Sequence, residues 1–166
     1  ISITFDQVLE QVARYLPKFV TVTGGEPLAQ KACWPLLTAL GDCGYEVSLE
    51  TSGALSIADI DERVSVVMDL KTPGSGEVER NCYGNISLLR KKDQLKFVIC
   101  GRQDYEWARF KIDEYNLASR VSDVLFSPSF GQLVATDLAD LILADRLPVR
   151  LQLQLHKQLW NDARGK

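Results

Sequence analysis

The chain has 166 residues, 46% of them hydrophobic, which suffices for the core of one domain but not two, so we predict a single domain over residues 1–166. The net charge of −3 comes from interspersed acidic and basic residues, which argues against nucleic acid or an anionic membrane as a partner. No apolar run approaches about 18 residues and the amino end lacks a signal-peptide pattern, so we expect no membrane span and a cytoplasmic location.

Apolar periodicity divides the chain into alternating helical and extended segments. Helical spacing first occurs at Val8, Val12 and Leu16, and Pro17 ends this helix. The predicted strands cover residues 19–23, 45–50, 64–70, 94–100, 123–126 and 149–155. The later predicted helical segments cover residues 29–43, 81–90, 102–115 and 132–146.

This alternation predicts an α/β fold with a mostly parallel sheet, either an open sheet or a partial β/α barrel. Such folds bind ligands at the carboxyl ends of their strands. The residues at the predicted strand ends are nearly all polar or glycine: Thr23 to Glu26, Glu50 to Gly53, Asp69 to Lys71, Ser127 to Ser129, and Gln152, Gln154 and His156. A polar rim of this kind indicates a cleft at that edge of the sheet.

The most informative strand end is Thr23-Gly24-Gly25-Glu26-Pro27. Paired glycines remove both Cβ atoms, so a ligand can approach the main chain closely. The Glu26 carboxylate either accepts from a ligand ammonium or caps the following helix, and Pro27 removes a competing donor. Taken alone, the motif is also compatible with an ordinary strand-to-helix turn.

The cysteines do not have metal-ligand spacing. Cys33, Cys43, Cys82 and Cys100 form no Cys-x-x-Cys pair, and His156 is the single histidine. The sequence therefore predicts no metal site within this chain. Thiols in apolar segments mostly behave as small buried hydrophobic groups, which is our expectation for Cys33, Cys43 and Cys100.

The ordered strand-end motifs resemble those of the radical S-adenosylmethionine superfamily, and the chain is most similar to its 7-carboxy-7-deazaguanine synthase family. Further segments that carry the resemblance are Leu49 to Gly53, Asp69 to Ser75, Lys96 to Cys100, Leu125 to Ser129 and Leu155 to Asp162. The resemblance implies a partial β/α barrel that binds S-adenosylmethionine against a four-iron four-sulfur cluster. It also implies magnesium, a reductant such as flavodoxin, a homodimer, and the ring contraction of 6-carboxy-5,6,7,8-tetrahydropterin to 7-carboxy-7-deazaguanine with loss of ammonia, a step towards queuosine.

The same resemblance implies roles for individual residues. Gly24, Gly25 and Glu26 would receive the methionine amino group, and Lys71 would lie near the methionine carboxylate. The remaining implied contacts are Thr51 and Ser52 to the ribose, Ser127 and Pro128 to the adenine, and Thr23 and His156 to the pterin. From the residues alone, Lys71 is equally well explained as a solvated turn lysine, His156 as a structural histidine, and Ser127-Pro128 as a plain turn.

The chain departs from the family pattern at the cluster. The resemblance places three closely spaced cysteines upstream of the helix that begins near Ser2, and the four cysteines present cannot replace them because they lie on separate segments. The magnesium ligand and part of the pterin pocket would also lie upstream. We therefore expect an amino-terminally truncated barrel that lacks the first strand and cluster loop, has no catalytic residue or metal ligand of its own, and is inactive by itself.

Three alternatives stay open at this level. A cluster-free module that binds S-adenosylmethionine without chemistry would use the same strand ends. A glycyl-radical activating enzyme shares the superfamily motifs, although residues 72–75 and 156–160 favour the synthase family. An unrelated α/β hydrolase or transferase is disfavoured because the chain has neither Gly-x-Ser-x-Gly nor a glycine-rich phosphate loop.

Overall fold

The structure is a computed structural model that describes residues 4–160, except for the side chains of residues 156 and 158. The strands are β1 (Phe19–Val22), β2 (Glu46–Thr51), β3 (Ser65–Asp69), β4 (Gln94–Ile99), β5 (Asp123–Pro128) and β6 (Arg150–Leu151). The α-helices are α1 (Phe5–Arg14), α2 (Cys33–Asp42), α3 (Asn85–Leu88), α4 (Arg102–Glu114), α5 (Leu117–Arg120), α6 (Ala135–Ala144) and α7 (Leu155–Trp160). Short 3₁₀ turns occupy Pro27–Ala29, Pro73–Ser75 and Val78–Arg80. None of the described helices is long and apolar enough to cross a bilayer.

The six strands form one parallel sheet in the order in which they occur along the chain. Because parallel crossovers share one hand, sequential order places the connecting helices on one face of the sheet, as in the wall of a barrel. The predicted α/β class with a partial barrel is confirmed. All six strands also end at the same edge, so the polar strand ends predicted from the sequence share one rim.

Residue alternation along the strands separates a core face from an open face. Val47, Leu49, Val66, Met68 and Leu95 are buried in the core. The alternate positions Ser48, Glu50, Ser65, Asp69 and Lys96 are polar and half-exposed. The period of two in a strand sends neighbouring side chains to opposite faces, so the open face of the central strands is lined by hydroxyl groups and charges.

The predicted length of the last strand is wrong. The alternation of Leu151, Leu153 and Leu155 predicts a strand over residues 149–155, but β6 has two residues and α7 begins at Leu155. The Gln152 amide still donates to Phe126 O at 2.9 Å. The next rung of the ladder requires an amide at position 128, and Pro128 has none, so the pairing stops there.

Two helices begin later than predicted. The segment predicted as helical from residue 29 begins on the last residue of the Pro27–Ala29 turn, and α2 begins only at Cys33. The segment predicted from residue 132 becomes α6 at Ala135. Of the segment 81–90, four residues are α-helical. The apolar spacing marks the side that faces the core but does not distinguish a helix from the turn that leads into it.

Candidate functional site

The rim of the sheet opens beside the two glycines that follow β1. A Cβ atom built on Gly24 or Gly25 would meet nothing within 4 Å. The space next to this main chain is therefore available to a ligand, as the paired glycines predict. Gly25 does not have a positive φ, so its open surroundings, rather than backbone strain, are the reason why a side chain here would matter.

The Glu26 carboxylate joins the ends of β1 and β2. Thr51 Oγ1 donates to both carboxylate oxygens at 2.9 and 3.0 Å, and the Ser52 amide donates to Oε2 at 2.8 Å. The Ser52 hydroxyl donates to the same oxygen, and the Leu28 amide donates to Oε1 at 3.1 Å. A carboxylate offers about four lone-pair positions, and these four donors occupy them. Glu26 therefore caps the Pro27–Ala29 turn and also holds Thr51 and Ser52 beside the glycines.

These contacts change the acidity of Glu26. Burial alone would raise the pKa of this carboxyl, but the hydrogen bonds from Ser52, Thr51 and Leu28 outweigh burial and hold its pKa below the ordinary glutamate value. Glu26 is thus an anion at neutral pH. Nearby, burial and then the charge of Glu26 raise the pKa of the Cys33 thiol.

The end of β3 places an ion pair on the same rim. Lys71 Nζ lies 2.8 Å from Asp69 Oδ2, and both side chains are largely covered. The other carboxylate oxygen, Asp69 Oδ1, is buried and has no hydrogen-bond partner among the described residues. The Asn81 side chain holds the Lys71 backbone from outside: the Lys71 amide donates to Asn81 Oδ1 at 2.9 Å and Asn81 Nδ2 donates to Lys71 O at 2.8 Å.

Two adjoining cavities on this rim share Gly25, Ser52 and Lys71, and a third, of about 270 Å³, lies between the glycine motif and Cys33. One of the adjoining two, of about 120 Å³, is lined by Thr23, Gly24, Gly25, Glu50, Thr51, Ser52, Val67, Asp69, Lys71 and Lys96. The other, of about 380 Å³, is lined by Gly25, Glu26, Ser52, Ala54, Lys71, Glu77 and Arg80. We refer to these two together as the cleft. Seven of the ten residues predicted from the sequence line it: Thr23, Gly24, Gly25, Glu26, Thr51, Ser52 and Lys71.

Of the three remaining predicted residues, Ser127 and Pro128 do not line the cleft. Ser127 is fully buried at the end of β5, and its hydroxyl has no described hydrogen-bond partner. Pro128 lines a separate cavity of about 140 Å³ with Phe130 and Leu153. His156 belongs to α7, but its side chain lies outside the part of the molecule that the structure describes.

Comparison with known proteins identifies the family to which this chain belongs. No family model matches the chain. The 7-carboxy-7-deazaguanine synthase of Chlorobaculum tepidum is 42% identical to it over 168 residues, which cover 99% of this chain and 76% of that protein. The enzymes of the same name from Koribacter versatilis and Clostridium acetobutylicum are 37% and 34% identical, and the matches cover 93% and 95% of this chain and 75% and 73% of those proteins.

The chain belongs to the 7-carboxy-7-deazaguanine synthase family. This result confirms the family resemblance seen in the sequence and favours the synthase over a glycyl-radical activating enzyme. The chain spans about three quarters of the length of these relatives.

Solved structures support the fold of this deazaguanine synthase family member. SuiB of Streptococcus suis bound to its precursor peptide SuiA has a TM-score of 0.61 at 15% identity, over 90% of this chain and 41% of SuiB. SuiB bound to S-adenosylmethionine has a TM-score of 0.58 at 16% identity, over the same shares. At such identities the likeness shows the fold alone, and it agrees with the predicted radical S-adenosylmethionine type of barrel.

An iron–sulfur cluster does not fit the cysteines of this synthase family chain. Cys33 is in α2, Cys43 follows it, Cys82 is in the loop before α3, and Cys100 follows β4. Within residues 4–160, no three histidine, cysteine, aspartate or glutamate side chains come together in a way that could hold a metal. The expectation of buried thiols is correct for Cys33 but wrong for Cys43, which is exposed because it lies in the connection after α2, and Cys100 is only partly buried.

Sequence reasoning missed several residues that shape the site of this synthase family chain. Lys96 lines the cleft from the middle of β4. The alternation of apolar and polar residues along β4 could have indicated it, because that alternation places Lys96 on the polar face, where it is paired in register with Asp69. No sequence motif around Asn81 or Asn85 indicates a role in the site. The buried Asn85 side chain accepts from the Ile57 amide at 3.2 Å and donates to Gly53 O and Leu55 O at 3.0 and 2.8 Å, so it holds the loop after β2.

Proposed function

We propose that residues 1–166 are one domain that forms the S-adenosylmethionine-binding and pterin-binding part of a 7-carboxy-7-deazaguanine synthase. The reaction is a carbon–nitrogen lyase reaction that converts 6-carboxy-5,6,7,8-tetrahydropterin to 7-carboxy-7-deazaguanine and ammonia. The observation that carries the proposal is the convergence of Gly24, Gly25, Ser52 and Lys71 on one cleft, in a chain of this family. A cytoplasmic homodimer that uses magnesium and a flavodoxin-like reductant completes the proposal.

The chemistry of the cleft fits S-adenosylmethionine. Its methionine ammonium requires convergent acceptors, which the carbonyl groups beside Gly24 and Gly25 offer, and its carboxylate requires a cation, which Lys71 offers. We assign the ribose to Thr51 and Ser52, whose hydroxyls Glu26 holds beside the glycines. We assign the pterin to Thr23 and His156. Ser127 and Pro128, which the resemblance implies for the adenine, lie outside the cleft, so the proposal gives them no contact with the bound cofactor.

When bound, S-adenosylmethionine supplies a hydrogen-abstracting radical after one-electron reduction. The residues of this chain contribute binding and orientation: Glu26 keeps the ends of β1 and β2 in register, and Asn81 keeps the backbone of Lys71 in place. Because the four cysteines do not form a cluster site, we expect this chain by itself to bind the cofactor without turnover.

The test is calorimetric titration of the purified chain with S-adenosylmethionine. Gly25→Val places a side chain in the open space beside the motif without backbone strain, so we expect a folded protein whose affinity falls at least about 10-fold, because a displaced ligand loses its main-chain contacts. Gly84→Val is the matched control, since Gly84 is exposed at the start of α3 and lines neither cavity. An undetectable affinity of the unmodified chain, or equal affinities for all three proteins, contradicts the proposal.

The second arm tests whether this chain by itself can hold a cluster and turn over. The chain is reconstituted anaerobically with iron and sulfide, reduced with dithionite, and supplied with S-adenosylmethionine and 6-carboxytetrahydropterin, and products are measured by mass spectrometry. We expect neither stoichiometric cluster nor product. Product formation would overturn the conclusion drawn from the cysteines while supporting the synthase.

A further inference from the structure

Helix α4 carries a lysine that is surrounded by aromatic rings. Lys111 Nζ lies 5.0 Å from the centroid of the Tyr83 ring, and the centroids of Trp107 and Tyr115 are each 5.5 Å away. Only 14% of the Lys111 side chain is exposed, and its ammonium donates to Glu114 Oε2 at 2.6 Å. Burial alone would lower the pKa of Lys111, but the hydrogen bond to Glu114 and the nearby tyrosines outweigh burial and hold its pKa above the ordinary lysine value. The group is therefore a cation, as a cation–π contact requires.

The rings around this lysine come from two different elements. Trp107 and Tyr115 lie four residues before and after Lys111, so they share one face of α4 and its end. Trp107 also packs edge-on against the buried Phe97, at 6.1 Å and 80°, which fixes this face to the core. Tyr83 comes from the connection before α3, and its ring is stacked on Tyr115 at 5.7 Å and 7°. The helix thus presents a prepared site that holds Tyr83.

The connection that ends at Tyr83 has few other attachments. We call residues 74–83 the cleft loop; none of them is buried. Its backbone amides bond mostly within the loop or to the turn just before it, and the Cys82 amide donates to Gly53 O at 3.3 Å. A segment without core residues has low local stability. Its position therefore depends on the side chains that hold its ends.

Helix α4 holds both ends of the cleft loop. At the start of the loop, the Gly74 amide donates to Asp104 Oδ1 at 2.7 Å, and Asp104 is buried. At the end of the loop, Tyr83 is held by Lys111. Asp104 and Lys111 are seven residues apart, which is about two helical turns, so both project from the same side of α4. One rigid helix therefore sets the path of the loop.

The cleft loop reaches the proposed cofactor site. Glu77 and Arg80 line the larger cavity of the cleft, together with Lys71. Asn81, two residues before Tyr83, exchanges two hydrogen bonds with the backbone of Lys71. A shift of Tyr83 would therefore be passed to Lys71 through Asn81.

We propose that Lys111 is a positioning residue for the carboxylate of S-adenosylmethionine. Its ammonium holds Tyr83, which fixes the cleft loop, and Asn81 in that loop holds the backbone of Lys71, the group that receives the carboxylate. Lys111 lines neither cavity of the cleft, so it acts through these residues and not on the ligand. The inference rests on the proposed function, from which it takes the role of Lys71.

The experiment compares two ligands by calorimetric titration of the purified chain. One is S-adenosylmethionine, and the other is decarboxylated S-adenosylmethionine, which keeps the amine and the sulfonium but has no carboxylate for Lys71 to bind. Lys111→Met keeps most of the side-chain volume and removes the charge. We expect it to weaken S-adenosylmethionine about 3- to 10-fold, because the ligand must then order the loop, and to leave the decarboxylated ligand within about 2-fold.

A rescue and a control accompany this variant. Lys111→Arg retains a cation over the rings and should restore the affinity for S-adenosylmethionine. Tyr83→Leu should reproduce Lys111→Met, and the double variant should be no weaker than either, because both changes remove one contact. Lys91→Met is the matched control: Lys91 is an exposed lysine that donates to Ser119 O at 2.7 Å and lines neither cavity.

Limited trypsin digestion without ligand measures the position of the cleft loop directly. The Arg80 side chain is 75% exposed, and trypsin cleaves after arginine. We expect the fragment 1–80 to appear about 3- to 10-fold faster from Lys111→Met than from the unmodified chain, and at the unmodified rate from Lys111→Arg. Unchanged cleavage after Arg80 in Lys111→Met would show that Lys111 does not hold the loop, and it overturns the inference.

The remaining outcomes separate this inference from the proposed function. Equal weakening of both ligands by Lys111→Met, with a lower melting temperature, makes Lys111 a structural residue and overturns the inference. Unchanged affinity for S-adenosylmethionine in Lys111→Met overturns it as well, while the proposed cofactor site stands. Failure of Lys111→Arg to restore binding excludes the cation–π contact as the link. An unmodified chain that binds neither ligand refutes the proposed function, and this inference with it.

Discussion

Glu26 Oε2 receives both the backbone amide and the hydroxyl of Ser52, a residue 26 positions further along the chain. This contact, together with the Thr51 hydroxyl, ties the glycine motif after β1 to the polar end of β2. The spatial arrangement of the cleft therefore depends on one carboxylate, and its removal should affect both folding and cofactor affinity.

Substitution of Glu26 tests whether it acts on the ligand directly or by positioning. Glu26→Ala leaves four donors without their acceptor, so we expect the free energy of unfolding to fall by about 1–3 kcal/mol. The affinity for S-adenosylmethionine should fall with it. Urea denaturation and calorimetric titration measure the two effects. Loss of affinity at unchanged stability would instead assign Glu26 to a direct ligand contact.

The lowered pKa of Glu26 predicts a pH dependence of stability. A carboxyl whose pKa is depressed in the folded state contributes stability above its unfolded pKa, and that contribution disappears as the pH falls through the folded pKa. Between about pH 6 and pH 3, melting temperatures of the unmodified chain should therefore fall more steeply than those of Glu26→Gln. Equal slopes would show that the ionised form of Glu26 is not the stabilising one.

Gly53, directly after the Glu26-bound Ser52, should tolerate no side chain. Its φ is 70°, and an added Cβ would lie 2.7 Å from Cγ of the buried Met68. Gly53→Ala should cost about 2–4 kcal/mol, from the left-handed backbone and from overpacking. Gly76→Ala is the control, because Gly76 has φ 73° in open space and should cost only about 1–2 kcal/mol. Chemical denaturation compares them, and equal losses would exclude the Met68 contact as a cause.

The two asparagines that hold the loops should have separable effects. Asn85 is buried and satisfies three backbone groups of residues 53–57, so Asn85→Ala should lower the free energy of unfolding by about 1–3 kcal/mol. Asn81 is half-exposed and holds Lys71, so Asn81→Ala should mainly weaken S-adenosylmethionine binding. Denaturation and titration of both variants check this division. Identical profiles would mean that the two side chains serve only general stability.

The cysteines should differ in reactivity. Cys43 and Cys82 are exposed, whereas burial raises the pKa of the Cys33 and Cys100 thiols. Because the thiolate is the reactive form, iodoacetamide at neutral pH should modify Cys43 and Cys82 first. Peptide mass spectrometry over a time course measures the order. Early modification of Cys33 would show that the space beside α2 opens in solution.

Much of the fold follows from the sequence because periodicity and strand-end composition are local properties. The alternation of strands and helices, the glycine motif after β1 and the polar ends of β2 and β3 predicted the shared rim, since parallel strands present their carboxyl ends at one edge. The alternation of apolar and polar residues along β4 also indicates that Lys96 lies on the polar face. Its position beside the cleft became visible only from its register with Asp69.

Only the tertiary structure decided which distant groups meet. The Glu26 carboxylate is engaged by residues 51 and 52, and the Lys71 backbone is held by Asn81, contacts that depend on strand register and loop path rather than on neighbouring residues. The shortness of β6 has the same origin, because the residue that ends its pairing is Pro128 on another strand. The sequence by itself determined the elements and their polar ends; folding determined the partners, since hydrogen bonds and ion pairs form only between groups that packing brings within about 3 Å.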